Sequence, residues 1–376
     1  MKFLYILSKK CFCFGLLMLG FFSISTQSVQ AQDNFQDHIF TIYGLSVDIT
    51  ASNAREARSL ALTKAQVSGF NLLLRKISIE DRLAEARPLS SNEVSNHVSG
   101  IEVHNERTSA RRYIATLDIS FNKAKVLQYL GMNNLPYTEL TGGPLLLLPI
   151  YEYGGVAALF EDDNPWLNAL SKADIENHLF KYKLAEGNFE DQLLVGNLSA
   201  LNNNQQDFQA RSSKLNSKYG TSDLLLARAW WGSSDENGLK NLHFSYSRGL
   251  STQEKSGMIV AHESYSQEHM FIMAAQAIFN RMDISWRQQT LTSFGAFNEL
   301  EVRVSAQNAV QWVDIIERLK ATPIVRTIEV DKVAVPVSQI TIIYSGVFEQ
   351  LRLVLQGVNL NLVEDFDGWY LEKSTN

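Results

Sequence analysis

The chain has 376 residues, 34 of them basic and 40 acidic, for a net charge of −6, and setting aside Lys2, Lys9 and Lys10 of the first 31 residues lowers that by three more. A mildly acidic chain carries no global field that would draw nucleic acid or an anionic membrane surface. Both cysteines, Cys11 and Cys13, fall within those first 31 residues. The remainder can form no disulfide, bind no zinc through sulfur and supply no thiol nucleophile.

The opening stretch has the three parts of a secretory signal. MKFLYILSKK is basic, CFCFGLLMLGFF at 11–22 is apolar, and the segment through Val29-Gln30-Ala31 ends in small residues. The apolar run is shorter than the ~20 residues a membrane span needs. Cleavage is expected after Ala31, with no Cys at that point for lipid attachment, and the product is expected in the periplasm. The length that remains exceeds what one hydrophobic core usually serves, so two or three domains are expected.

Residues 32–132 read as a small α+β domain. FTIYGLSVDIT (40–50) alternates as a strand, and Asn53 with Glu56 three positions later starts a helix as a capping box. In the helix over 54–77, Ala54, Ala57, Ala61 and Ala65 make a small-residue ridge. Leu60, Phe70, Leu73, Leu74 and Ile77 extend its apolar side. Residues 100–106 and 112–121 form a hairpin whose buried face is Tyr113, Ala115, Leu117, Ile119 and Phe121. A short helix from Asn122 closes the unit. Arg107, Arg111 and Arg112 make a basic tip on that hairpin. They read as a solvated turn, or as contacts to lipid phosphate or an acidic partner.

A linker is expected over 133–144, followed by an α/β domain over 144–290. LLLLPIY has the continuous apolar character of a strand covered on both faces. Strands are expected near HLFKYKLAEG, in SDLLLARAWW, and as a hairpin of 241–249 with 257–265. Helices are expected up to Lys218 and from about Gln267, the latter burying Phe271, Ala274, Ala275, Ile278 and Met282. Residues 294–376 show the order βαββαβ with a final strand, a ferredoxin-like split pattern. Their first helix is expected to bury Ala309, Trp312, Ile316 and Leu319.

EDDNPWLNAL (161–170) gathers three carboxylates beside a Trp, and an acid/base pair, an ion site and a helix start all fit that composition. Asn164 suits an N-cap, Pro165 the first helical position and Trp166 an inward-facing site, with the acids near the positive end of the helix dipole. A carboxylate pair for chemistry needs two acids set apart by a scaffold, and a calcium loop needs spaced acids and a Gly. Capping therefore explains more of the motif. In HESYSQEH, His262, Glu263, Glu268 and His269 are metal-type residues without the four-residue spacing of a helical zinc pair. The other histidines, His38, His97, His104, His178 and His243, follow no motif. No metal or cofactor is expected. G-x-S-x-G, G-x-x-x-x-G-K-[ST] and G-x-G-x-x-G are absent. Trp230 and Trp231 must face opposite sides of a strand, which makes one of them a candidate contact residue.

YGLSVDITASNAREARSLALTKAQVSGFNLLLRKI, LLLLPIY and ALFEDDNPWLNAL, behind such a leader, resemble a family of proteobacterial secreted proteins described only as a domain of unknown function. The family shows a Trp ahead of the acids where this chain has Phe160, and a Gly-Asp step where it has Glu186-Gly187-Asn188. The middle segment also resembles the amino-terminal domain of the Tol–Pal system's periplasmic protein, an envelope interaction module. The resemblance implies no activity and transfers no catalytic residue. The expected function is a non-enzymatic role in envelope assembly or maintenance through contacts with other envelope proteins. The alternative is a secreted hydrolase using Asp162, Asp163 or His262 between the middle and last domains.

Overall fold

In the first unit, strand β1 (Thr41–Thr50) leads into α1 (Ala54–Ile77), α2 (Glu80–Leu83), α3 (Ser91–His97), β2 (Val98–Thr108), β3 (Arg112–Phe121) and α4 (Lys123–Met132). The computed structural model describes residues 37–374 apart from 162, 174, 196–204, 235, 237, 250–253, 293, 294 and 296. The expected leader and its cleavage point lie outside them. The three strands form an antiparallel sheet in the order β1-β3-β2. Tyr113, Ala115, Leu117, Ile119 and Phe121 are all buried on one face, beneath α1. Ala57, Ala61 and Ala65 are buried on the helix, and the ridge continues to Gly69, where a Cβ would come 3.0 Å from Leu45 Cδ1. The small ridge lets the helix lie close to the sheet. Leu60 does not extend it: it lies on the flank of the ridge, past Ala57, and is 50% exposed.

Asn53 caps α1 by accepting from the Glu56 N–H at 2.9 Å, while the Glu56 carboxylate reaches back to the Ser52 N–H instead of that of Asn53. Helix α3 has no counterpart in the expected elements, and its start is a complete capping box of Ser90 and Glu93. The Arg87 guanidinium, together with the backbone and hydroxyl of Ser90, pulls the Glu93 carboxyl from its ordinary 4.5 down to about 2. Because the folded value is the lower one, the charged carboxylate stabilises α3 fully above about pH 4.5 and ceases to do so as pH falls toward 2. In a carboxyl-detected NMR titration, Glu93 should be among the last carboxylates to protonate, and Ser90→Ala should raise its midpoint.

The middle unit runs β4 (Gly142–Tyr153), β5 (Val156–Ala158), α5 (Pro165–Lys172), β6 (Phe180–Leu184), α6 (Phe189–Val195), α7 (Gln205–Tyr219), β7 (Asp223–Ser234), β8 (Lys240–Arg248), β9 (Lys255–Ile259) and α8 (Gln267–Thr290). Its six-stranded sheet has the order β5-β4-β7-β8-β9, with β6 also on β4. β4 pairs in parallel with β6 and β7, and the other pairings are antiparallel. The leucine run lies between two layers. Leu145 and Leu147 face α5 and α8, and Leu146 and Leu148 share a core with Val195 of α6 and Leu215 of α7. The strand expected over 257–265 stops at Ile259. Beyond it the Asn241 side chain accepts from the Ala261 N–H at 2.8 Å, so a side chain takes over from the ladder.

The last unit is β10 (Phe297–Ser305), α9 (Ala309–Lys320), β11 (Val325–Lys332), β12 (Val337–Ser345), α10 (Phe348–Gly357), β13 (Leu360–Asp365) and β14 (Gly368–Lys373). In a ferredoxin-like unit the strand after the second helix would lie beside β10. Here β14 holds that place, parallel to β10, and β13 is displaced to the edge by the tight turn at Phe366–Asp367. Helix α9 buries Ile315 and Leu319, with Trp312 and Ile316 half-buried; Ala309, its first residue, is exposed. Among the described residues the fold is thus mixed α+β, with three sheets and ten α-helices.

Residues 133–144 are not a loose connection. Leu135, Tyr137, Thr138, Glu139 and Leu140 are all buried. Tyr137 exchanges backbone hydrogen bonds with Thr292, the Thr138 N–H donates to Ile77 O, and the Thr138 and Thr290 hydroxyls meet at 2.8 Å. Leu135 and Tyr137 pack in the first core and Leu140 in the last, so the segment is a seam between them within one compact unit.

Candidate functional site

The EDDNPW motif resolves into a helix start. The Asn164 side-chain oxygen accepts from the N–H groups of Trp166 at 2.9 Å and Leu167 at 3.2 Å, and Pro165 takes the first turn. Trp166 is fully buried and donates from Nε1 to Ala227 O at 2.9 Å, tying α5 to β7. Asp162 lies outside the described residues. The Asn164 amide also donates to Leu159 O at 2.8 Å. Asn164→Ala should therefore cost about 2 kcal/mol, the upper end of a cap's contribution, and Asn164→Asp clearly less, as read from urea denaturation midpoints.

The four metal-type residues of HESYSQEH do not converge. Glu268, in the first turn of α8, pairs with Lys172 at 2.5 Å, and His262 Nδ1 lies 2.7 Å from Ser264 Oγ. His269 packs on Tyr265. Among the described residues, no hydrogen bond or ion pair joins His262 to Asp163.

The basic tip is partly committed. Arg112 forms a two-pronged pair with Asp48 and holds that carboxyl below its usual range, and Arg111 Nε donates to Ala51 O at 3.0 Å. Both cations fasten the end of β1 to the hairpin. Arg107 remains exposed on the outer face.

The two tryptophans separate as strand geometry requires. Trp231 turns toward α8 and packs edge-on against Phe271, its centroid 5.3 Å away. Trp230 points to the opposite side and stacks on His243 of β8, centroids 5.6 Å apart and planes 13° from parallel. On that side the neighbouring positions are Glu152 of β4, Arg228 of β7, Ser245 of β8 and Ser256 of β9, with Glu254 just before it. Together they line an open recess of about 340 Å³. Arg228 pairs with Glu152 at 3.2 Å, and Ser245 donates to Glu254 at 2.5 Å. The Arg228 Nε atom is buried with no hydrogen-bond partner among the described residues. The Trp230 ring beside the part-exposed Arg228–Glu152 pair suits a peptide group or a charged side chain on a partner.

A second polar cluster escaped the sequence reading. His178 Nδ1 lies 2.7 Å from Asp283 Oδ2, and Asp283 Oδ1 accepts from the Leu179 N–H at 2.9 Å. Phe279 and Tyr182 pack around the imidazole. Both carboxylate oxygens are thus spent on locking the segment before β6 to α8. The pairing spans 105 positions and has no local signature.

No family model, curated protein or solved structure matches the chain.

Proposed function

We propose that this is an exported, non-enzymatic protein of the periplasm, and that it contributes to envelope assembly or maintenance by holding another envelope protein against the Trp230 face. The observation that carries the reading is the recess of Trp230, His243, Arg228 and Glu152. It is a pre-stacked aromatic beside a half-exposed ion pair, built on strands and therefore rigid. The leader, the resemblance to secreted proteins and the likeness of the middle segment to an envelope interaction module support export and contact. No described helix is long and apolar enough to cross a membrane. We read the chain as three units, 32–132, 144–290 and 294–376, the last a ferredoxin-like pattern with an inserted terminal strand.

The test places a photo-crosslinking residue at Met258, an exposed neighbour of His243 on the same face, in cells otherwise lacking the protein. A discrete adduct with an envelope protein is expected, reduced by Trp230→Ala and by Arg228→Ala at unchanged protein level. Both variants should also fail to rescue growth of the deletion strain under detergent stress. Full rescue by both would remove the proposal. Loss of rescue by Asp163→Asn or His262→Ala instead would favour the hydrolase reading.

A further inference from the structure

On the outer face of the first sheet, away from α1, two β-bulges bring three metal-type side chains together. In β2 an extra residue at Asn105–Glu106, with Asn105 at φ 52°, shifts the register between His104↔Thr116 and Arg107↔Ile114. The shift sets Glu102 directly across from Asp118, and His104, two residues along the same strand, on the same face. In β1 a second bulge falls between Ile42 and Leu45, where Gly44 has φ 71° and its N–H donates to Asp118 Oδ1 at 2.8 Å. Asp118 is thereby held with its other oxygen, Oδ2, 2.9 Å from His104 Nε2. One ligand atom from each of Glu102, His104 and Asp118 lies within 4.8 Å of the others.

We propose that Glu102, His104 and Asp118 form a binding site for a zinc-type divalent cation, with the remaining coordination positions open to water. Two residues at i and i+2 of one strand plus the cross-strand partner make a triangle on a stiff sheet. Ligands about 2.0–2.2 Å from a shared tetrahedral ion stand roughly 3.3–3.5 Å apart. The His104–Asp118 pair is already inside that spacing, and Glu102 closes on it by rotation of an exposed side chain. To ligate through Nε2, the imidazole exchanges its hydrogen bond to Asp118 for the bond to the ion and carries its proton on Nδ1. The Gly44 N–H supplies the orienting bond that metal-binding carboxylates use.

A cation would also relieve a like-charge pairing. Two carboxylates directly opposite each other on paired strands repel. One imidazole with two carboxylates suits a borderline ion over calcium or magnesium, which take oxygen ligands in larger number or keep their water.

The experiment is a calorimetric titration of ZnCl₂ into the untagged full chain carrying Cys11→Ser and Cys13→Ser, since leader thiols would bind zinc themselves. One zinc per chain in the micromolar range is expected, with an X-ray absorption edge showing only N/O neighbours and a single imidazole. His104→Ala and Asp118→Asn should each weaken binding at least about tenfold, the loss that follows even when only an orienting partner is removed. His262→Ala should change nothing. Glu102→Gln, which keeps the side chain's shape, provides the reading if His104→Ala fails to fold. Millimolar or weaker binding, unchanged affinity in these variants, two imidazoles in the spectrum, or equal competition by calcium would overturn the site.

Discussion

Replacing Trp286 by Ala is expected to cost about 3 kcal/mol or more, the range for removing a large aromatic from a core, and to split one unfolding transition into two. Trp286 is only half-buried, yet its ring packs against the cores of all three units. It meets Phe180 at 5.2 Å, and its Nε1 donates to Leu140 O at 2.8 Å. Truncation removes the common contact and leaves a carbonyl of the buried seam without its donor. Because Trp286 packs where these cores meet, the loss falls on their docking more than on any one interior. Urea unfolding followed by circular dichroism and by tryptophan emission should coincide in the parent and diverge in the variant. Trp286→Phe keeps most of the packing and loses only the hydrogen bond, so it should cost roughly 1 kcal/mol with the probes still coincident. Coincident probes in Trp286→Ala would show that the cores are joined chiefly elsewhere.

What could be read in advance was local. The Asn164 cap, the two-sided leucine strand and the period of α8 each state their environment within a few residues, because backbone groups and one apolar face decide them. The helix ridge is legible too, but hydrophobicity alone places Leu60 on its apolar side, where the structure leaves it 50% exposed on the flank. The seam was not legible. Pro136, Gly142 and Gly143 with Thr138 and Glu139 have the composition of a linker. The burial of Thr138 and Glu139 depends on partners outside the segment, among them Thr290 and Arg326 far along the chain. The same holds for Glu102, His104 and Asp118. Without the extra residue at Asn105–Glu106, the hairpin register set at its tip would place Asp118 opposite Val103, a core-side residue. A bulge of one residue decides whether those side chains meet, and its only local trace is an Asn able to adopt positive φ. The position of β14 is likewise a matter of pairing choice: both terminal strands have the pattern of a half-buried strand, and the tight turn between them leaves either free to lie beside β10.

The second large effect is expected at Glu139. Its carboxylate is 0% exposed and sits between Lys123 at the start of α4, 2.6 Å away, and Arg326 at the start of β11, so one anion fastens the first unit to the last. The cations reach solvent, with Lys123 39% and Arg326 26% exposed. Removing a cation and removing the anion are therefore different experiments. Arg326→Met leaves a fully buried carboxylate with a single partner and also removes a donor to Ser345 Oγ at 3.0 Å, so it should cost about 3 kcal/mol. Glu139→Gln strands only cations that water can still reach, and its amide oxygen can still accept, so it should cost nearer 1 kcal/mol. In the double variant the buried charge that made Arg326→Met costly no longer exists. Its destabilisation should fall short of the sum by at least about 1 kcal/mol, well beyond the scatter of independent sites. Urea midpoints of the parent, the two single variants and the double variant give that coupling directly. Additive costs would mean that Arg326 stabilises the junction through its packing and its Ser345 bond, and that the charge on Glu139 contributes little to holding the first and last units together.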